Sequence, residues 1–160
     1  MRRLLEVFLV TGLTIGIAAC AGTGKKTDEA TEEGVSSEAS MMADNSEALL
    51  EKRVIYFEFD SSVVKSEYQS ILAAHAEYIA GHPDITVVLE GHADERGTRE
   101  YNIALGERRA KAIQQLLTLQ SVGQKQLQVI SFGEERPVAL GHDESAWSLN
   151  RRVELLYSGE

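Results

Sequence analysis

From Leu49 onward the hydrophobic period switches repeatedly between two and 3.6 residues, and that succession leaves few folds open. Val54-Ile55-Tyr56-Phe57-Glu58-Phe59 is a β-rich run closed by Asp60-Ser61-Ser62. Ser66-Glu67-Tyr68-Gln69 has the spacing of a capping box. Tyr68, Ile71, Leu72, His75, Tyr78 and Ile79 then follow at helical intervals until Gly81 and Pro83. A second strand covers 85–89 and runs into Glu90-Gly91-His92, and a second helix covers about 99–119, stopped before Gly123. A third strand spans 127–132 and is closed by Gly133. A loop with Pro137, Gly141 and a short helical turn near 145–149 leads to a last strand at 152–157. Two strand–helix–strand units imply right-handed crossovers and parallel neighbours, with the last strand returning antiparallel. Two long helices are enough to cover one face of four strands. The expected fold is therefore α/β in composition and an α+β sandwich in layering. It has the order β-α-β-α-β-β, a mixed four-stranded sheet and two long helices on one face, within one domain over 49–160.

The N-terminal third reads differently. Arg2 and Arg3 precede an apolar run from Val7 to Ala19, too short to span a bilayer comfortably and shaped like an export signal over 1–19. The run ends Ile17-Ala18-Ala19-Cys20, with the chain's only cysteine directly after the small residues. This resembles a bacterial lipobox, which implies signal removal and lipidation of Cys20. Several acyl chains at about 0.8 kcal/mol per buried methylene give stable membrane attachment. Ala21, in place of an aspartate, favours the outer membrane by the same resemblance. Residues 20–48 form the lipidated cysteine and a tether. Its Gly, Ser, Thr, Ala, Asp and Glu cannot bury enough surface to offset ordering entropy.

Charge narrows the function classes. The chain has 16 Lys+Arg against 25 Asp+Glu. Removing 1–19 takes away Arg2, Arg3 and Glu6, leaving 14 against 24 and a net charge of −10. Nucleic-acid binding, which works by neutralising phosphates, is a poor fit. No cofactor is expected. His92-x-Asp94 and His142-Asp143 match no helical metal-ligand spacing, and Gly-x-Ser-x-Gly and phosphate-binding glycine loops are both missing from the sequence. The expectation is a binding protein and not an enzyme.

One residue breaks the helical pattern. On a wheel of about 100° per residue, Tyr101, Leu105, Ala112, Ile113 and Leu116 define the inward face of the second helix, and Arg109 falls in its middle. Asn102 lies on the same side and Arg108 at the margin. Arginine is seldom buried alone, so Arg109 should face a carboxylate, a ligand acid or both. Asp94 is the natural candidate, from the loop Gly91-His92-Ala93-Asp94-Glu95-Arg96-Gly97-Thr98, and Asp60 holds the equivalent place after the first strand. Ligands gather at such carboxyl ends of parallel strands. An internal ion pair that only fixes the helix to the sheet is the equal alternative. His75 reads as a core histidine, and Trp147 as a packing anchor of the last loop.

The loop just quoted, followed by Tyr101-Asn102-Ile103-Ala104-Leu105-Gly106-Glu107-Arg108-Arg109-Ala110, closely resembles the OmpA-like peptidoglycan-binding domain family. Within it, the likeness is to lipid-anchored members that work with the Tol proteins. Tyr56-Phe57-Glu58-Phe59-Asp60-Ser61, Ser131-Phe132-Gly133-Glu134-Glu135-Arg136-Pro137 and Asn150-Arg151-Arg152-Val153 support it, over about 51–158. Arg99 departs from the family's usual proline at the start of the helix. The resemblance implies non-covalent binding of peptidoglycan through the diaminopimelate of its stem peptide. Asp94 would accept from the ammonium and Arg109 would hold the carboxylate. Phe59 and Asp60 would line the cleft, and Thr98 and Asn102 would support the loop. It further implies TolB and other Tol proteins as partners, and a domain in the periplasm tethered to the outer membrane.

Overall fold

The computed structural model describes residues 46–158, so the expected signal segment, Cys20 and the tether up to residue 45 lie outside the described residues. Residues 46–50 are helical, and Leu49 already packs on the core. Then follow β1 (Val54–Tyr56), α1 (Gln69–Gly81), β2 (Val87–His92), α2 (Arg99–Leu119), β3 (Leu127–Gly133), α3 (Glu144–Asn150) and β4 (Arg152–Tyr157). The order and layering match the sequence expectation, with differences at particular elements. β1 stops at Tyr56, because the chain turns at Phe59-Asp60 just beyond it. β2 begins two residues later than expected and continues to His92. The capping box at Ser66 is not formed. Ser66–Tyr68 is instead a 3₁₀ turn preceding α1, with no side-chain cap at either start.

The sheet order is β1-β4-β2-β3. β2 and β3 are parallel neighbours, as expected of a strand–helix–strand unit. β1 and β2 run the same way but are not neighbours: β4 lies between them, antiparallel to both. This corrects the expectation for the first unit and has a chemical consequence. The start of β4 is inserted between the ends of β1 and β2, and Phe57 donates its backbone N–H to the Arg151 carbonyl at 2.8 Å.

Alternate residues divide the sheet. Ile55, Val153, Leu155, Val87, Leu89 and Leu127 join one buried cluster with Ile71, Leu72 and Ile79 of α1 and Ala110, Ile113 and Leu117 of α2. That places both helices on one face. Fully burying each of these valine, leucine and isoleucine side chains contributes about 1.5–3 kcal/mol. His75 belongs to this core, fully buried, with Nδ1 2.6 Å from the Tyr157 hydroxyl and Nε2 3.1 Å from the Lys52 carbonyl.

The approach of α2 to β2 depends on two glycines. A Cβ on Gly91 would stand 2.0 Å from the Gly106 carbonyl oxygen, and one on Gly106 would stand 2.4 Å from Ser131 Oγ. Ser131 Oγ donates to the Ile103 carbonyl at 2.7 Å, tying β3 to the same helix. With backbone against backbone, the next turn of α2 is set at the carboxyl ends of β1 and β2.

Candidate functional site

Thr98 caps α2, its side chain accepting from the Tyr101 N–H at 3.2 Å. Arg99, the departure from the family pattern, is offset by an ion pair with Glu135. The buried stripe of α2 is Asn102, Leu105, Gly106, Arg109, Ala110, Ile113 and Leu117. It is rotated from the expected face, because Gly106 and Ala110 carry the closest packing but little hydropathy. Tyr101 accordingly points outward, 44% exposed, and hydrogen-bonds Asp60. Arg108 is exposed and lies over the Tyr101 ring at 5.5 Å.

Arg109 is fully buried. Its guanidinium donates to three backbone carbonyls: Nε to Ser61 at 2.8 Å, Nη1 to His92 at 2.8 Å and Nη2 to Glu58 at 3.0 Å. The helix thus staples the turn after β1 to the end of β2. The expected ion pair with Asp94 is not formed, and no carboxylate among the described residues reaches ion-pairing distance of Arg109. Carbonyl dipoles solvate the cation without neutralising it. Burial pushes its pKa down to about 10, opposed by the field of Asp94, so the group stays charged at neutral pH. Of five N–H donors, three are used, which leaves two for an incoming acceptor.

Asp94, also buried, is claimed elsewhere. Its Oδ1 accepts from the Arg96 N–H at 3.1 Å and Nε at 3.2 Å. Its Oδ2 accepts from Arg96 Nη2 at 2.7 Å and Arg151 Nη1 at 3.3 Å. Burial raises this carboxyl, but the bonds from Arg96 and Arg151 outweigh it and hold the pKa below the usual carboxylate range. Arg151 is 4% exposed and fixed further by the Phe57 carbonyl at 3.1 Å and by Glu144. The Arg96 guanidinium lies between two aromatic rings, 4.0 Å from the centroid of Phe59 and 4.2 Å from that of Trp147. Trp147 Nε1 donates to Glu95 at 2.9 Å, so this residue does anchor the last loop.

A cleft of about 190 Å³ opens over these groups. Phe59 and Asp60 line it from the turn after β1, Asp94, Arg96 and Gly97 from the loop after β2, and Tyr101, Leu105 and Arg109 from α2. Asp60 adopts a left-handed backbone, φ 51°, which aspartate tolerates better than most residues and which turns the chain back over the cleft. Of the expected site residues, Asp60, Phe59, Asp94 and Arg109 meet here. Thr98 and Asn102 do not line it: Thr98 is a helix cap, and buried Asn102 donates to Glu134 on the far side of the loop. Arg96 and Arg151, and the stacking of Trp147 on Arg96, were not expected at the site from the sequence. Among the described residues no group of three or more His, Asp or Glu is arranged to hold a metal ion.

The arrangement offers a buried cation with spare donors, a carboxylate and an aromatic wall within one small cavity. It suits a ligand carrying both charge signs on neighbouring atoms. Residues 56–151 match the OmpA family. The peptidoglycan-associated lipoprotein of Pseudomonas aeruginosa is 49% identical over 90% of this chain and 80% of its own. That of Pasteurella multocida is 43% identical over 98% of this chain and 100% of its own. In structure, the peptidoglycan-associated lipoprotein from Burkholderia pseudomallei superposes with a TM-score of 0.68 at 50% identity, covering 68% of this chain and 92% of that one. The C-terminal domain of Helicobacter pylori MotB shares the fold, with a TM-score of 0.61 at 22% identity over 67% of this chain and 84% of its own.

Proposed function

The chain belongs to the OmpA family, and we propose from this that it grips peptidoglycan non-covalently in the cleft formed by Asp60, Asp94 and Arg109. The ligand is the free end of the diaminopimelate side chain, an ammonium and a carboxylate on one carbon. The observation that carries this reading is the state of Arg109: a buried cation held by three carbonyls and by no carboxylate. Such a charge attracts an anion into the cleft, and two spare N–H groups allow a two-pronged contact. Asp94 sits across the cavity to receive the ammonium, and the turn at Phe59 and Asp60 closes over the carboxylate.

Charge-assisted hydrogen bonds contribute roughly 1.5–3 kcal/mol each, so one site is of modest affinity. Many copies on one membrane facing one polymer raise the effective binding. The proposal includes lipidation at Cys20, attachment to the outer membrane, and partnership with TolB and the other Tol proteins through the cleft face. The test is sedimentation of the full chain with purified peptidoglycan. Asp94→Asn should stay in the supernatant, and added TolB should displace the original chain from the pellet. An Asp94→Asn chain that pellets as before sinks the site; a pellet holding wall, chain and TolB together sinks the shared face.

A further inference from the structure

Asp94 has no acceptor position left. A carboxylate offers about four, and all four are taken: three by Arg96, through its N–H, Nε and Nη2, and one by Arg151 Nη1. An ammonium arriving at Asp94 must therefore take a place from one of these cations. Arg151 is held on three sides, by Asp94, Glu144 and the Phe57 carbonyl, and is almost wholly buried. Arg96 is the looser one. Its side chain is 30% exposed, and Glu144 Oε2 lies 3.6 Å from its Nη2. Its two stacking rings hold the guanidinium in a plane without involving Asp94.

We infer that Arg96 is a built-in competitor of the ligand: it occupies the ammonium seat on Asp94 and yields it only to a ligand that is also anchored by its carboxylate. The inference rests on the cleft reading above. The exchange is balanced in charge. The ammonium takes the Asp94 contacts, and the guanidinium slides between Phe59 and Trp147 onto Glu144. Displacing an ion pair costs about what the new one returns, so the ammonium alone gains little. The carboxylate on Arg109 supplies the net attraction. A ligand with an ammonium and no carboxylate beside it, such as a lysine side chain, is refused. The same logic separates a diaminopimelate stem peptide from a lysine stem peptide without any steric filter.

The test uses the full chain in detergent and three tripeptides, L-Ala–γ-D-Glu–X. X is diaminopimelate, lysine (no distal carboxylate) or 2-aminopimelate (no distal ammonium). Arg96→Gln and Arg96→Ala should each bind the diaminopimelate and lysine tripeptides about ten-fold more tightly, equivalent to about 1.4 kcal/mol, and the 2-aminopimelate tripeptide no more tightly. In the unmutated chain, the Arg96 Nε–H resonance should move on saturation with the diaminopimelate tripeptide, which needs no folded variant. Uniform weakening of all three tripeptides, or an Nε–H signal that stays in place while the cleft fills, overturns the exchange. It leaves the cleft reading intact. An unmutated chain that binds the three tripeptides equally, or none, overturns the cleft reading and the exchange with it.

Discussion

Replacing Arg109 by methionine keeps an unbranched apolar stem and deletes the cation, and the structure sets what that should cost. Three donated hydrogen bonds disappear. The Glu58 and Ser61 carbonyls belong to an exposed to half-exposed turn and regain water. The His92 carbonyl belongs to a residue only 1% exposed and loses its guanidinium donor. A buried acceptor left short costs about 1–3 kcal/mol. The two strand ends also lose the group that joins them, at about 1.5 kcal/mol or more for a bond to a charged donor. Relief from burying a cation offsets part of this. The net expectation is about 3 kcal/mol, or roughly 10–15 °C in Tm for a domain of this size. Thermal and urea unfolding followed by circular dichroism measure it, with wall sedimentation run well below the lowered Tm. The folded variant should still fail to pellet, because the anion site has gone. Stability within about 1 kcal/mol of the original chain would refute the stapling role, and normal pelleting would refute the anion site.

Stability should fall on acidification through a histidine outside the cleft. His92 is buried with neither ring nitrogen bonded among the described residues, and it stacks on Phe132 at 5.7 Å. Burial, reinforced by Arg152 and Arg136, pushes its pKa down to about 4. An unfolded histidine titrates near ~6.5, so between those values the unfolded chain holds more protons. The stabilisation is complete above about pH 6.5 and is lost progressively towards about pH 4. His92→Phe should flatten the decline of Tm over that window, leaving the share from His75, whose pKa burial also lowers; an unchanged slope would show that His92 is not the source. At the other end of the chain, Cys20→Ser should move the protein from the membrane fraction to the soluble periplasmic fraction and end its labelling by radioactive palmitate. Continued labelling would place the anchor elsewhere.

Much of the fold was legible because its signals are local. The helical and β-rich patterns set α2 at about 99–119 and β4 at 152–157, and both agree with the structure. The cleft was legible in half its parts. Asp60 and Asp94 follow strands, and Arg109 interrupts an apolar face, so each is visible from its neighbours. The pairing between them was not. Asp94 is bound by Arg151, which reaches it only because β4 is inserted between β1 and β2, and strand order is a long-range property. Arg96 was not legible, since nothing in Glu95-Arg96-Gly97 announces that Phe59 and Trp147 will converge on it. The face of α2 was misjudged for the opposite reason: glycine and alanine pack closest but weigh least in a hydropathy pattern.

The placement of β1 also decides how the domain would carry a load. If the chain is held by lipid before residue 46 and by the wall at the cleft, tension acts ahead of the start of β1 at one end and, at the other, on Asp94 and Arg109 beside the carboxyl ends of β1 and β2. The strand is pulled lengthwise, while its ladder to β4 lies across the pull. Those bonds are then strained together in shear and do not peel one by one.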